Sequence, residues 1–229
     1  MEDNTWRKLF ETQCNSRHFG DLVHPLIDSE IYKLFNSYKP DIVQLSHSLR
    51  WWDILPVYDK TSDEEFFSNL RRGYFNVNMY LRTEKELEYL PLRDLFHDTV
   101  GHLPILQSEN YTNYLRTLSY LYWLAGSNKN EKFLKELISR VYWVTSEFGL
   151  IHNGHSAHLA YGAGIVSSVA ELKFATSTNA KVFHLDGLFV TRLMDLQMEY
   201  EKFQNEYLVI NSFTDLEKIL KIIISQFTK

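Results

Sequence analysis

A mainly helical fold with a few short β-strands is predicted by three observations. Apolar side chains recur at helical spacing in several stretches, most clearly Leu216, Ile219, Leu220, Ile223 and Phe227. Ser/Thr-x-x-Glu capping boxes mark helix starts at Ser62 with Glu65, Thr83 with Glu86, and Thr214 with Glu217. Extended stretches are few and short.

In chain order, residues 5–50 read as mainly helical, with weak punctuation. Trp52 to Val57 reads as a short extended segment. The capping box at Ser62 then opens a helix through Phe66, Phe67 and Leu70, with Gly73 as its stop. Residues 74–81 alternate. Phe75, Val77, Met79 and Leu81 point one way, and Asn76, Asn78 and Tyr80 the other, as in a half-buried strand. Residues 91–102 read as a helix, and 111–125 and 130–149 as longer ones. Residues 185–195 are ambiguous. Leu208-Val209-Ile210 forms a strand before the final helix. No Pro/Gly/Ser-rich linker, repeat or low-complexity tract divides the chain, so residues 1–229 are expected to form one domain.

The 229 residues carry a net charge of -5, which gives phosphate backbones nothing to grip, so no nucleic-acid partner is expected. Cys14 is the sole cysteine, which excludes an intrachain disulfide and suits a reducing compartment. The N-terminus lacks a secretory pattern, and no apolar run is long enough for a membrane span. A cytoplasmic protein is expected. Aromatics make up 15% of the chain, enough to fill a core and to line a pocket for flat rings.

The residues with most chemical content begin at His97-Asp98-Thr99-Val100-Gly101-His102. Zinc proteases space two histidines at i and i+4. Five residues on an ideal α-helix instead separate the side chains by about 140°. Both imidazoles can face one ion only if the helix is distorted, and Gly101 and Pro104 are placed to distort it. Otherwise they are ordinary histidines, one buried and one exposed. Two histidines and a carboxylate on one octahedral face suit non-haem iron(II). Glu147 is a candidate because it lies in the aromatic, nearly charge-free run Tyr142 to Gly149, and a buried Glu needs a partner. A hydrogen bond to a neighbouring helix would serve it equally.

Three ordered blocks resemble the pterin-dependent aromatic amino acid hydroxylases: His97 to Pro104, Tyr142-Trp143 to Leu150, and Tyr161 to Ser168. The resemblance is nearest to the short bacterial phenylalanine hydroxylases. It covers residues 46–229 as a hydroxylase core, and more weakly a helical part at 1–45. It implies a single catalytic domain of that type with no regulatory domain, expected as a monomer. It also implies iron(II), a tetrahydropterin such as tetrahydrobiopterin, O2, and hydroxylation of phenylalanine to tyrosine.

On matching positions the resemblance makes His97, His102 and Glu147 the iron ligands. Arg82 holds the substrate carboxylate, which suits its planar fork. Trp143, Gly164, Ser167 and Tyr200 border the substrate. Phe66 stacks on the pterin, Asp98 lies on the pterin side, and Tyr142 stands beside the iron. Trp143 lies four residues before Glu147 and is expected to share its helix face. Asp94, a turn before His97, is expected to orient that ring. Each also has a plainer reading: Arg82 as a surface charge, and Trp143 and Phe66 as core.

The chain departs from the family in places. Asp98 stands where the family has Glu, and Leu92-Arg93-Asp94 replaces Glu-Pro-Asp, which exchanges a negative group for a positive one. Extra length between His102 and Glu147 falls near Ser127 to Asn130. Tyr200 replaces small or β-branched residues that help set substrate choice. Tryptophan, tyrosine or another ring position of phenylalanine therefore stay open as targets. So do a zinc-dependent hydrolase on the same ligands and a non-catalytic amino acid-binding relative.

Overall fold

The computed structural model describes residues 2–16, 18–83, 86, 93–154, 158–199 and 202–228. Helices dominate it, and two small sheets hold the helices that carry the candidate site. The first sheet pairs β1 (Asp53–Val57) and β2 (Tyr74–Asn78) in parallel, with Asp53 opposite Tyr74 and Val57 opposite Asn78. The helix Asp63–Arg71 connects them, as a parallel pair requires a crossover. Its start follows the expected cap, with Ser62 Oγ accepting from Glu65 N–H.

β2 differs from the alternating strand read from the sequence. It ends at Asn78, and Phe75, Asn76 and Val77 are all buried. Asn76 is buried because the helix Asp63–Arg71 covers its face. Its Oδ1 accepts from Asn69 Nδ2 at 3.0 Å, and its Nδ2 donates to Thr61 Oγ1 at 3.2 Å. A buried amide with partners on both atoms satisfies the burial rule that simple alternation ignores.

The second sheet has the order β4-β3-β6-β5, from β3 (Leu150–His152), β4 (His158–Ala160), β5 (Val182–Phe183) and β6 (Tyr207–Ile210). β3 pairs antiparallel with β4 and parallel with β6, and β5 is parallel to β6. β6 includes the expected Leu208 to Ile210. The other three strands hold two or three residues each, too few to show a period.

The long helices Glu109–Ala125 and Glu131–Tyr142 match the expected 111–125 and the first part of 130–149. The latter does not continue as an α-helix. It passes into a π turn, Trp143–Glu147. The final helix, Thr214–Gln226, buries Leu216, Ile219, Leu220 and Ile223 as expected. Its start is not the expected capping box. Thr214 Oγ1 meets Ser212 Oγ, and Asp215 takes the local donors, accepting from Asn211 N and Nδ2. At the box expected for Thr83, Glu86 Oε2 accepts from Thr83 N and Oγ1. Leu87 to Leu92 lie outside the described residues.

The N-terminal helices join the same core. Trp6 is fully buried, and its ring meets Phe96 at 5.4 Å, edge to face, directly before His97. Among the described residues, no helix is long and apolar enough to cross a membrane.

Candidate metal centre

His97 and His102 lie in a π turn, His97–His102, buried along its whole length. This turn resolves the spacing problem. In a π-helix the repeat widens toward i→i+5, so residues five apart return to nearly the same face. No helix end is needed to bring the rings together. Their centroids lie 5.0 Å apart with planes at 86°. Gly101 has a separate role. A Cβ there would sit 2.9 Å from the Ala163 carbonyl oxygen, so glycine lets the helix Ala163–Val166 close on the turn.

Glu147 ends the second π turn and is 2% exposed. Its Oε2 lies 3.3 Å from His97 Nε2 and its Oε1 3.4 Å from His102 Nε2. Among the described residues, neither Nε2 has a hydrogen-bond partner, although both are buried. Ser167 explains the first of these. Its Oγ donates its one proton to the Ala163 carbonyl at 2.7 Å and lies 2.9 Å from His97 Nδ1. Ser167 must therefore accept from Nδ1–H, which leaves Nε2 as a bare lone pair. A bare nitrogen and a carboxylate do not attract one another, and a cation between them satisfies both. The donor set fits a divalent metal of the non-haem iron class.

Asp98 is the second carboxylate here. One imidazole nitrogen of His97, one of His102 and one carboxylate oxygen of Asp98 lie within 4.8 Å of one another. Its Oδ1 is 3.9 Å from His97 Nε2, but its Oδ2 accepts from Asn78 N–H at 2.7 Å. Of the two carboxylates, Glu147 is the one that turns an oxygen to each imidazole. Burial pushes Asp98 up to about 6, against the pull of His97 and Arg93. Burial opposes the charge of Glu147 too, yet Arg93 and the histidines hold it well below the usual carboxylate range.

Arg82 and Asp94 form a buried pair beside this centre, 3% and 0% exposed. Asp94 Oδ2 accepts from Arg82 Nε at 2.8 Å and from Arg82 N–H, and its Oδ1 accepts from Arg82 Nη2 at 2.9 Å. The surface-charge reading of Arg82 is thereby excluded. Asp94 also accepts from the backbone N–H of His97 at 2.9 Å. It reaches the main chain and not the imidazole, because Ser167 already holds Nδ1. That corrects the expected contact of Asp94 and gives Ser167 a place behind the ligand ring.

An aromatic wall flanks the metal side. Phe66 meets Tyr142 at 5.1 Å and Phe75 at 6.2 Å, and Phe75 meets the His102 ring at 5.1 Å. Tyr142 lies 6.3 Å from His102 with nearly parallel rings. Burial and the charge of Glu147 raise its hydroxyl well above the ordinary range, so it stays protonated. Trp143, four residues before Glu147, turns its ring to other partners. It donates Nε1–H to Gln204 Oε1 at 2.9 Å and packs on Phe148 at 4.8 Å. Gly164 lets the backbone pass Phe148 and the Glu147 carbonyl, where a Cβ would lie 2.8 Å from the Phe148 ring. Tyr200 lies outside the described residues.

Sequence reasoning noted Arg93 only as a departure. Its Nη2 lies 2.5 Å from Glu147 Oε1. Gln204 carried no signal of its own, and nothing in a single sequence pairs it with Trp143. If Ser167 fixes the tautomer of His97, then Ser167→Ala is expected to weaken cobalt(II) affinity by on the order of tenfold. A titration curve matching the parent protein would remove that role.

The family model for biopterin-dependent aromatic amino acid hydroxylases matches residues 2–229. A phenylalanine-4-hydroxylase of Mesorhizobium japonicum is 33% identical over 180 residues, 77% of this chain and 63% of that protein. That of Chromobacterium violaceum is 30% identical over 218 residues, 93% of this chain and 70% of the relative. The cobalt-bound crystal structure of the C. violaceum protein superposes with a TM-score of 0.86 at 26% identity, covering 100% of this chain and 82% of that one. The structure of the same protein with iron(III) and oxidised 7,8-dihydrobiopterin gives 0.84 at 27% identity, covering 99% and 81%.

Proposed function

The chain belongs to the biopterin-dependent aromatic amino acid hydroxylases, and from that premise we propose that it converts phenylalanine to tyrosine with O2, a tetrahydropterin and iron(II). The observation that carries the reading is the meeting of two bare, buried imidazole nitrogens with one buried carboxylate. His97, His102 and Glu147 would hold the ferrous ion. That the similar C. violaceum structure holds both iron(III) and 7,8-dihydrobiopterin supports the same pairing of metal and pterin here. When bound, the metal and reduced pterin together supply the electrons and the site for activating O2.

The remaining steps belong to the chain's own residues. Arg82 is pinned along one edge by Asp94, which leaves the other N–H donors of its planar fork for a substrate carboxylate. Asp94 also holds the start of the metal-bearing turn, so the substrate grip and the ligand His97 move as one body. Phe66, Phe75 and Tyr142 give the pterin side an apolar wall that excludes water from a reactive centre. Asp98, fixed by Asn78 N–H, offers a carboxyl group to the pterin ring. Trp143, Gly164 and Ser167 border the amino acid, and Tyr200 is assigned to the same border. The N-terminal helices are part of the same catalytic unit, which the packing of Trp6 on Phe96 supports. The lone buried thiol of Cys14 supports a cytoplasmic location.

Oxygen uptake by the iron(II)-loaded protein with tetrahydropterin, given phenylalanine, tyrosine and tryptophan in turn, tests this reading. Phenylalanine is expected to be preferred, with tyrosine as product. Absence of oxygen uptake with all three amino acids would overturn it.

A further inference from the structure

Glu147 does not face the imidazoles alone. The oxygen turned toward His102, Oε1, is also the one that accepts from Arg93 Nη2 at 2.5 Å. The guanidinium is held there by more than this pair. Its centre stands 5.3 Å over the Phe66 ring and 5.7 Å over the Tyr142 ring. Three contacts thus fix a cation beside the carboxylate, although the Arg93 side chain keeps 41% of its exposure. An arginine cannot shed this charge, since its pKa lies far above neutrality. The carboxylate it caps is 2% exposed, so water screens the interaction poorly.

A single carboxylate shared by two cations binds each less strongly than it would bind one alone. Its electron density is drawn toward the guanidinium, and the two positive charges repel across it. On the reading that His97, His102 and Glu147 hold the metal, we propose that Arg93 sets the affinity of the centre for a divalent cation, keeping the hold weak through its fixed charge on Glu147. Arg93 acts through Glu147 and is a positioning and charge-tuning residue, with no direct part in ligation. Its contact with Phe66 links the same charge to the wall assigned to the pterin.

Cobalt(II) titration of the full chain, read by its absorption bands and needing no turnover, tests the proposal. Arg93→Met and Arg93→Gln are expected to bind cobalt(II) at least about tenfold more tightly than the parent protein. Gln keeps a donor for Glu147, so its gain isolates the charge. Arg93→Lys keeps the charge and is expected to stay near the parent value. In a Glu147→Gln background, Arg93→Met is expected to gain clearly less than in the parent, because only the direct repulsion of the two cations remains. Weaker or unchanged binding in both neutral variants would overturn the role of Arg93 and leave the three ligands standing. A gain as large without Glu147 as with it would overturn the route. No cobalt(II) binding by any form, the parent included, would overturn the metal centre and this inference together. Thermal melts of each variant separate these results from misfolding.

Discussion

His97→Ala and Glu147→Ala are each expected to abolish stoichiometric iron binding and to lower hydroxylation at least ~10³-fold, the scale of losing metal-derived stabilisation of a transition state. The two variants fail for different reasons. Without His97, Ser167 loses the ring it holds and the centre keeps one imidazole, while the main-chain N–H from which Asp94 accepts remains. Without Glu147, the two bare imidazole nitrogens have no anion between them, and Arg93 faces the site with its charge unanswered. Metal analysis after gel filtration, together with tyrosine formation, reads both effects. Parent-like turnover in either variant would contradict the ligand assignment.

Arg82→Ala is expected to act on stability and on substrate binding together. Removing the guanidinium leaves Asp94 buried with an uncompensated charge, at a cost of about 3–5 kcal/mol in unfolding free energy. It also removes the grip on the substrate carboxylate, so KM for phenylalanine is expected to rise on the order of 100-fold. Iron stays bound, because none of the contacts among His97, His102 and Glu147 passes through Arg82. Arg82→Lys separates the two effects. It restores a charge for Asp94 but not a planar fork, so stability is expected to recover further than KM. Urea unfolding and steady-state kinetics measure the pair. An unchanged KM in Arg82→Ala would end its assignment to the substrate.

The helical class and the site residues were legible for different reasons. The final helix and the segment 111–125 show a clear apolar stripe, and the structure has helices there. The ligands were legible through the three ordered blocks, not through geometry. Taken alone, five-residue spacing argued against a shared ion, because an α-helix was the assumed frame. A π turn depends on what packs against it, here the close approach of Ala163 at Gly101 and the anchoring of His97 N–H by Asp94. No local periodicity encodes those contacts. Asn76 was misread because alternation cannot anticipate a buried amide that finds Asn69 and Thr61. The cap at Thr214 was misread because the helix starts one residue earlier than the box requires: Phe213 holds the cap position, and Thr214 Oγ1 pairs with Ser212 Oγ. Arg93 was visible as an unusual charge, but its contact with a residue 54 positions away was not.

Iron K-edge X-ray absorption on the full chain, loaded anaerobically with one equivalent of iron(II), tests the centre most directly. Two imidazole groups per iron in a shell otherwise made of oxygen are expected, a signal that His102→Ala loses together with its bound iron. An unaltered spectrum in His102→Ala, or a parent spectrum without imidazole scattering, would mean that the metal sits elsewhere.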